Sequence, residues 1–258
     1  MSELVQVIQH GGVRELRMDR APVNALDDAL CAALLHALQS AVDADVAGIV
    51  LSGNAKVFSG GLDVPHLLSH GDDRNALHAT WKAFFDVAAA IAGAPMPVAA
   101  ALTGHAPAGG CVLALCCDYR VMTRSTDPAR PLQIGLNETQ VGLAVPDGIQ
   151  RLMRRVIGAH RAERLLVAGA MIPAEHAAGI GLIDALADDA EATIQHAITW
   201  LQAMARLPQT PLRKTRHIAR ADVREALDSV VLDDFINDWF QPDTQAALQA
   251  MVARLKKP

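Results

Sequence analysis

One carboxylate is prominent in the segment GLNETQVG, residues 135–142, because the surrounding elements are apolar and rich in alanine. Glu138 lies between Asn137 and the hydrophobic run VGLAV. On this segment alone, such a glutamate is typical of a solvated loop acid or a helix cap. In an apolar setting it could instead act as a general base, because desolvation raises the pKa of a carboxyl group. Four neighbours are expected to lower the local polarity: Val141, Leu143, Ala144 and Val145.

Two loops carry consecutive glycines between a predicted strand and a predicted helix. They are KVFSGGLDVPHLL (56–68), with Gly60-Gly61, and GHAPAGGCVLALCC (104–117), with Gly109-Gly110. Glycine permits positive φ and close approach of a ligand to the backbone, and the first turn of a helix leaves N–H groups free. If the two loops converge, two amide donors could stabilise one developing oxyanion. Taken singly, a Gly-Gly pair between a strand and a helix is most often part of an ordinary turn.

Length and composition limit the classes of protein that the chain can belong to. Its 258 residues suit one sizeable domain, or one domain with a helical appendage. A hydrophobic content of 51% against 20% charged residues indicates a large core and argues against disorder. The formal net charge of −5 gives no broad basic surface for nucleic acid, although a few lysines or arginines could still bind a phosphate.

The cysteines and the apolar stretches indicate the compartment. No CxxC pair or zinc-type spacing occurs, so we expect buried free thiols in a reducing compartment at Cys31, Cys111, Cys116 and Cys117. The opening MSELVQVIQHGG lacks the apolar centre of a signal peptide, and prolines and glycines interrupt the apolar region 86–117. We therefore expect no membrane association, and a bacterial cytoplasmic location, or the mitochondrial matrix for a processed eukaryotic protein.

The hydrophobic patterns predict an α/β core. Five segments have the pattern of strands: 4–8 and 13–18, which would form a hairpin around Gly11-Gly12, and the runs 48–53, 97–104 and 118–123. Two segments have helical periodicity: 28–42, with Asp27 as N-cap, and 74–92. From about residue 189 the pattern is helical, with helices separated by Pro208, Pro211 and Pro242. The predicted division is an α/β core over 1–190 and a helical region over 191–258.

Four motifs in order identify a family resemblance. FSGGLD, GHAPAGGC, CDYR and GLNETQVGL together resemble the crotonase (enoyl-CoA hydratase/isomerase) superfamily, and are most similar to its mitochondrial-type Δ3,Δ2-enoyl-CoA isomerases. The resemblance covers most of the chain, including Trp81-Lys82 and the C-terminal RLKK stretch. It implies the ClpP/crotonase fold of repeated ββα units, with a helical C-terminal region for oligomerisation and pocket closure. It also implies a homotrimer or a dimer of trimers.

The resemblance also implies roles for individual residues. The backbone N–H groups of Leu62 and Gly109 would form the oxyanion hole, and Glu138 would be the catalytic carboxylate. The substrate-binding set would be Ser59, Gly60, Gly61, Leu62, Asp63, Gly109 and Asn137. Related hydratases carry a second carboxylate three residues after the oxyanion-hole glycine. Here that position is Val112, which cannot transfer a proton.

The reaction implied is the shift of the double bond of 3-enoyl-CoA to trans-2-enoyl-CoA, in the β-oxidation of unsaturated fatty acids. Glu138 would move a proton from C2 to C4 while the oxyanion hole holds the thioester enolate. No metal or redox cofactor is expected, and CoA enters as part of the substrate. Two alternatives remain: another crotonase-type reaction, such as 2-enoyl-CoA hydration by Glu138 alone, and a catalytically silent CoA-binding subunit.

Other residues are assigned no chemistry or are left open. VFSGG lacks the first glycine of a nucleophile elbow, so a serine hydrolase is not expected. Asp63 belongs to the stretch that the resemblance assigns to the substrate, but its own position favours a structural role, as an N-cap or a salt-bridge partner. His66, His70 and His78 are expected on helix surfaces, with no metal. Trp81, Phe84 and Phe85 are equally consistent with positions in the core and at the rim of an acyl pocket. Candidate ligands for the phosphates of CoA are Lys56, Lys256 and Lys257. The basic segments 151–164 and 212–220 could also receive phosphates, although such helical faces are more often solvated surface.

Overall fold

A six-stranded sheet lies at the centre of the computed structural model, which describes residues 3–255. The strands in chain order are β1 (Val5–His10), β2 (Val13–Met18), β3 (Gly48–Ser52), β4 (Val98–Leu102), β5 (Ala106–Pro107), β6 (Tyr119–Thr123), β7 (Gln133–Gly135), β8 (Ile172–Pro173) and β9 (Ala185–Ala187). The large sheet has the order β1-β2-β3-β4-β6-β9, antiparallel between β1 and β2 and parallel elsewhere. A small second sheet has the order β5-β7-β8.

Helices cover both faces of the large sheet. In chain order they are α1 (Asp28–Asp43), α2 (Val64–Ser69), α3 (Arg74–Gly93), α4 (Gly109–Leu115), α5 (Asp147–Ile157), α6 (Ala159–Ala168), α7 (Ala174–Gly179), α8 (Ala190–Ala205), α9 (Gln209–Ala219), α10 (Ala221–Asp228), α11 (Leu232–Trp239) and α12 (Pro242–Leu255). A short 3₁₀ helix spans Glu138–Val141. Aspartate side chains cap the N-termini of four of these helices, at Asp27, Asp63, Asp73 and Asp189.

The continuous apolar runs form strands that are buried on both faces, as the sequence predicts. In β3, Ile49 and Leu51 belong to the main hydrophobic cluster, whereas Val50 faces the opposite side of the sheet. There it packs in a second cluster with Ile198 and Leu201 of α8. Because successive side chains of a strand point to opposite faces, a strand covered on both sides needs apolar residues throughout. The predicted hairpin, strands, first two long helices and buried free cysteines are confirmed.

One prediction about the helical region is wrong. Pro211 does not separate two helices, because it is the third residue of α9. The first-turn N–H groups of a helix have no partner within it, so proline is tolerated there. Pro208 and Pro242 do stand at helix starts. The division at residue 190 stays a prediction, and α8, which follows it, packs directly on the large sheet.

The last two helices return to the first half of the chain. A third hydrophobic cluster joins α11 and α12 to α2 and α3, through Phe235, Trp239 and Leu248 on one side and Leu67 and Trp81 on the other. The C-terminal helices therefore form part of the wall around the segment that carries the first glycine loop. Within residues 3–255, no helix combines the length and the apolar character needed to cross a bilayer.

Candidate active site

The small sheet brings the Glu138 segment beside the second glycine loop. β5 and β7 pair in parallel, with Ala106 opposite Ile134, and the Ala108 N–H donates to the Gly135 carbonyl oxygen at 2.9 Å. β5 leads directly into α4, and β7 leads into the 3₁₀ helix that begins at Glu138. Two segments that are distant along the chain thus leave one small sheet together.

The 3₁₀ helix is held at both ends. The Thr139 hydroxyl donates to the Leu166 carbonyl at 3.0 Å, which fixes the turn against α6. On the other side, the Thr244 hydroxyl of α12 donates to the Gly142 carbonyl at 2.7 Å. Gly142 has a φ of +83°, and a Cβ there would lie 2.9 Å from Thr244 Cα, so glycine suits this position on both counts. These contacts fix the backbone from which the Glu138 side chain extends.

Glu138 lies in an apolar cavity of about 150 Å³. Its Oε2 is buried and has no hydrogen-bond partner among residues 3–255. Burial raises the pKa of this carboxyl group from 4.5 to about 7, and a hydrogen bond from its own backbone offsets only part of the effect. Val141 and Leu143 line the cavity as expected, but Ala144 is exposed and Val145 is buried outside the cavity. Of the four residues that were expected to lower the polarity around Glu138, only Val141 and Leu143 therefore line the cavity.

The two glycine loops meet in space. A Cβ at Gly61, which has a φ of +83°, would lie 3.1 Å from the Gly109 nitrogen. A Cβ at Gly110 would lie 2.5 Å from the Ser59 carbonyl oxygen, closer than real Cβ atoms approach. Gly61 and Gly110 are thus favoured by the approach of one loop to the other, and not only by turn geometry.

The approach leaves two amide groups free beside the cavity. Leu26 flanks the first loop on one side, since its N–H donates to the Gly61 oxygen at 2.8 Å and its oxygen accepts from the Asp63 N–H at 3.0 Å. Within the described part of the chain, the N–H groups of Leu62 and Gly109 donate to no protein acceptor, and both residues line the cavity. Two free donors beside a carboxylate can stabilise an oxyanion while that carboxylate transfers a proton.

The expected substrate-binding stretch lines the cavity only in part. Gly60 and Leu62 line it, together with Gly109, Asn137 and Glu138, but three of the predicted residues do not, namely Ser59, Gly61 and Asp63. The fully buried Ser59 hydroxyl donates to the Asn24 carbonyl at 2.8 Å and accepts from the Gly61 N–H at 3.2 Å. Ser59 thus supports the loop from behind. The side chain of Asn137 has a buried Oδ1 without a partner among residues 3–255.

Asp63 has the structural role that its position in the sequence favours. Its carboxylate accepts from the His66 N–H at 3.0 Å, which caps α2, and pairs with Arg20 at 2.8 Å. Arg20 also pairs with Asp27, the cap of α1, at 2.7 Å. One guanidinium group therefore ties the starts of two helices together, immediately beside Leu62.

Aromatic residues form the wall of the cavity. Trp81, Phe84 and Phe85 of α3 all line it, and Trp81 and Phe84 also belong to the buried core, so the two expected positions are combined. Sequence reasoning missed Phe235 of α11 and Met251 of α12, which line it as well. The periodicity of the C-terminal helices marks both as apolar-face residues, but periodicity does not say which surface that face covers. Such a wall suits a hydrocarbon chain.

Glu138 is the only ionisable residue among the described residues that line the cavity. Val112, at the position where a second carboxylate would stand in related hydratases, is 2% exposed and lines the same cavity. The site therefore offers one proton-transferring group and two amide donors. An aliphatic side chain occupies the place where a second acid could hold a water molecule.

The histidines and basic segments lie elsewhere. Asp28, His66 and His70 have potential metal-ligand atoms within 4.8 Å of one another. His66 is hydrogen-bonded to Asp28 and His70 to Thr80, each at 3.1 Å, so both rings already have protein partners. The absence of a metal requirement stays a prediction.

Several arginines of the basic segments are engaged in ion pairs and not free for phosphate. Arg151 pairs with Glu225, Arg155 with Asp222, Arg213 with Asp45, and Arg216 and Arg220 with Asp118. Lys56 is exposed, whereas Lys256 and Lys257 lie outside the described residues. No CoA phosphate ligand is assigned.

Comparison with known proteins identifies the family. The family model described as enoyl-CoA hydratase/isomerase matches residues 9–248. The chain belongs to the enoyl-CoA hydratase/isomerase family. The predicted family resemblance and the predicted crotonase-like α/β fold are thereby confirmed.

Relatives within this family include enoyl-CoA isomerases. The human mitochondrial enoyl-CoA delta isomerase 1 is 29% identical, over 98% of this chain and 83% of that protein. The peroxisomal enoyl-CoA delta isomerase 2 of Arabidopsis thaliana is 36% identical, over 62% of this chain and 67% of that protein. The crystal structure of human mitochondrial Δ3-Δ2-enoyl-CoA isomerase superimposes with a TM-score of 0.87 at 27% identity, covering 98% of each chain.

Proposed function

We propose that the protein isomerises 3-enoyl-CoA thioesters to trans-2-enoyl-CoA. The observation that carries the proposal is an apolar cavity in which Glu138 is the single ionisable residue among the described lining residues, beside two backbone amides that donate to no described acceptor. A pKa of about 7 leaves a substantial fraction of this carboxyl group in each protonation state at neutral pH, as a group that first accepts and then returns a proton requires. The family and its named isomerase relatives support the proposal.

In the first step, Glu138 removes a proton from C2, the carbon next to the thioester carbonyl. The electron pair of that C–H bond delocalises, and negative charge develops on the thioester oxygen. The N–H groups of Leu62 and Gly109 donate to this oxygen, and each such donor contributes about 3 to 4 kcal/mol in other enzymes. In the second step, protonated Glu138 returns the proton to C4, the C3–C4 double bond is lost, and the C2–C3 double bond forms.

This chemistry is balanced within the substrate. One proton leaves C2 and one arrives at C4, and the electron pairs shift along the same carbon chain. No oxidant, reductant or water is consumed, so the proposed reaction needs no redox cofactor and no metal. CoA takes part only as the carrier of the acyl group.

Hydration is less consistent with the cavity. Adding water to a double bond requires a water molecule that is held and activated, commonly between two acids. Val112 can neither hold nor activate water, and Glu138 would have to do both alone.

The proposal is tested by offering 3-enoyl-CoA and 2-enoyl-CoA separately and following the absorbance of the conjugated thioester. We expect a rise with 3-enoyl-CoA and little loss with 2-enoyl-CoA. Rapid loss from 2-enoyl-CoA without any gain from 3-enoyl-CoA would show a hydratase instead. Inactivity on a panel of acyl-CoA thioesters that nevertheless bind would favour the silent CoA-binding subunit.

We also propose that the chain forms a homotrimer or a dimer of trimers through its helical region. α9 has no buried residue in the single chain, and Ile218 on this helix is 64% exposed. Leu207, just before α9, is 48% exposed. A helix with an exposed apolar surface usually packs on another surface. Sedimentation velocity at micromolar concentration is expected to give three or six chains; a monomer or a dimer would contradict this proposal.

A further inference from the structure

Two histidines and an aspartate that the proposed reaction does not use lie together outside the cavity. One ring nitrogen each of His66 and His70 and one carboxylate oxygen of Asp28 lie within 4.8 Å of one another. The two histidines are half-buried and Asp28 is exposed, so an ion from solution can reach all three. Imidazole nitrogen and carboxylate oxygen are ligands of zinc, although the sequence alone did not indicate a metal at these histidines.

The spacing of the two histidines brings their rings together. His66 is in α2, and His70 follows as the C-cap of the same helix, four residues later. Residues four apart lie on one face of a helix. The two rings are 4.7 Å apart between centroids and are inclined to each other by 72°. Two nitrogen ligands on successive turns can therefore bind one ion.

The aspartate is brought to this pair by the contact between two helix starts. Arg20 pairs with Asp27, the N-cap of α1, at 2.7 Å and with Asp63, the N-cap of α2, at 2.8 Å. Asp28 is the first residue of α1, and its only ion-pair partner among residues 3–255 is His66. Its carboxylate is thus not neutralised by a described lysine or arginine.

The distances suit a shared ion. The Nε2 atom of His66 lies 3.1 Å from Oδ2 of Asp28. Two ligand atoms bound at about 2.0 to 2.1 Å to one tetrahedral zinc ion lie about 3.3 Å apart. An ion can therefore replace the proton between these two atoms with little movement of either side chain.

His70 has a nitrogen available for the third bond. Its Nε2 is hydrogen-bonded to the Thr80 hydroxyl at 3.1 Å, and its Nδ1 has no hydrogen-bond partner within the described part of the chain. A metal-bound histidine commonly has its other nitrogen hydrogen-bonded to a neighbouring group, which orients the ring. The bond to Thr80 thus leaves His70 able to act as a ligand.

We propose that Asp28, His66 and His70 bind one zinc ion, with water completing its coordination. The ion joins the start of α1 to both turns of α2. Val64 and Leu67 of α2 line the cavity, whereas none of the three ligands does. The ion thus restrains a helix of the cavity wall without reaching the substrate. The proposed reaction does not need it, and the site does not rest on that proposal.

The experiment is isothermal titration calorimetry of the full chain with Zn²⁺ after removal of metal by a chelator. We expect one Zn²⁺ per chain, and no binding of Mg²⁺, which prefers a set of oxygen ligands. All four cysteines are buried, so their thiols do not compete for the ion in the folded protein. A wild type that binds no Zn²⁺ overturns the inference, whatever the variants do.

Variants assign the binding to the three ligands. Asp28→Asn and His66→Gln each remove one ligand and are expected to weaken Zn²⁺ binding at least about tenfold. The matched control is His160→Gln, at an exposed histidine of α6, which should bind Zn²⁺ like the wild type. Unchanged affinity in Asp28→Asn or in His66→Gln, or an equal loss in the control, contradicts the site.

Hydrogen exchange tests whether the ion links the two helices. Zn²⁺ is expected to slow amide exchange in α2 of the wild type, because it holds both turns of this helix to α1. The same protection in Asp28→Asn would place the ion on the histidines alone and overturn the three-ligand site. Without metal, all three variants should keep kcat within about twofold of the wild type, since none alters a residue that lines the cavity.

Discussion

Glu138→Gln is expected to lower kcat for 3-enoyl-CoA isomerisation by at least about 10³-fold. Glutamine keeps the shape of the side chain but can neither accept the proton from C2 nor return one to C4. No other described residue lining the cavity is ionisable, so no neighbouring side chain can replace the lost carboxylate. The measurement is the rate of formation of the conjugated thioester from 3-enoyl-CoA, in single-turnover as well as steady-state reactions.

The matched control is Glu163→Gln, the same substitution at an exposed glutamate of α6. It is expected to leave kcat within about twofold of the wild type, since surface substitutions away from special features have small effects. Binding of a saturated acyl-CoA should persist in Glu138→Gln. A variant that retains a tenth or more of the wild-type kcat would remove Glu138 from the proposed reaction.

Stability offers an independent check on the same substitution. Because the pKa of Glu138 is about 7 in the folded chain and 4.5 in the reference state, the folded state binds this proton more tightly than the unfolded state. The resulting stabilisation is fully present below the unfolded pKa and is lost as pH rises through about 7. At pH 8 the ionised carboxylate then costs up to about 3 kcal/mol, and Glu138→Gln is expected to melt at a higher temperature than the wild type.

Much of the fold follows from local patterns in the sequence. The runs GIVLSG and PVAAALTG have no polar face, which a strand covered on both sides requires, and both are such strands. Asp27 precedes an amphipathic segment and caps α1. These features depend on neighbouring residues alone. Pro211 shows where such patterns mislead, since proline ends a helix in its interior but is accepted in its first turn.

The site is less accessible to sequence reasoning because its parts meet only in three dimensions. The motifs single out Glu138 and the two glycine pairs, but β5 must pair with β7 to bring Glu138 to the second loop, and Val57 must pair with His105 to bring in the first. Ser59 illustrates the limit. It belongs to a motif that resembles a substrate-binding stretch, yet its hydroxyl is fully engaged with Asn24 behind the loop. Sequence adjacency to a site residue does not decide whether a side chain faces the ligand or supports the backbone that does.

The C-terminal helices contribute to the site, although no local sequence pattern predicts this. Phe235 and Met251 line the cavity although each is about 100 residues or more from Glu138 in the chain. Their helical periodicity predicts an apolar face, and burial of that face against α2 and α3 requires the tertiary arrangement. The helical region thus contributes two residues to the cavity wall within a single chain.

The pH dependence of kcat/KM is expected to show a single ionisation near pH 7 on the acidic side. The base must be ionised to accept the proton from C2, so kcat/KM should fall tenfold per pH unit below about 7 and be about 100-fold below its plateau at pH 5. An ordinary glutamate would keep nearly full activity to about pH 5. The measurement should use a pantetheine thioester, which lacks the terminal CoA phosphate that titrates near pH 6.

The cause of the shift can be tested with two neighbouring asparagine substitutions. Leu143 is buried and lines the cavity with Glu138, whereas Ala144 is exposed and outside it. Leu143→Asn is expected to move the apparent pKa down by about one unit, because a polar side chain solvates the carboxylate. Ala144→Asn should leave the profile unchanged. A wild-type profile that is flat from pH 5 to pH 8, or equal shifts in both variants, would contradict desolvation as the source of the basicity of Glu138. The apolar wall both binds the acyl chain and raises the pKa of Glu138. A substitution that weakens the base by solvating it should therefore also weaken acyl binding, and Leu143→Asn measures both effects.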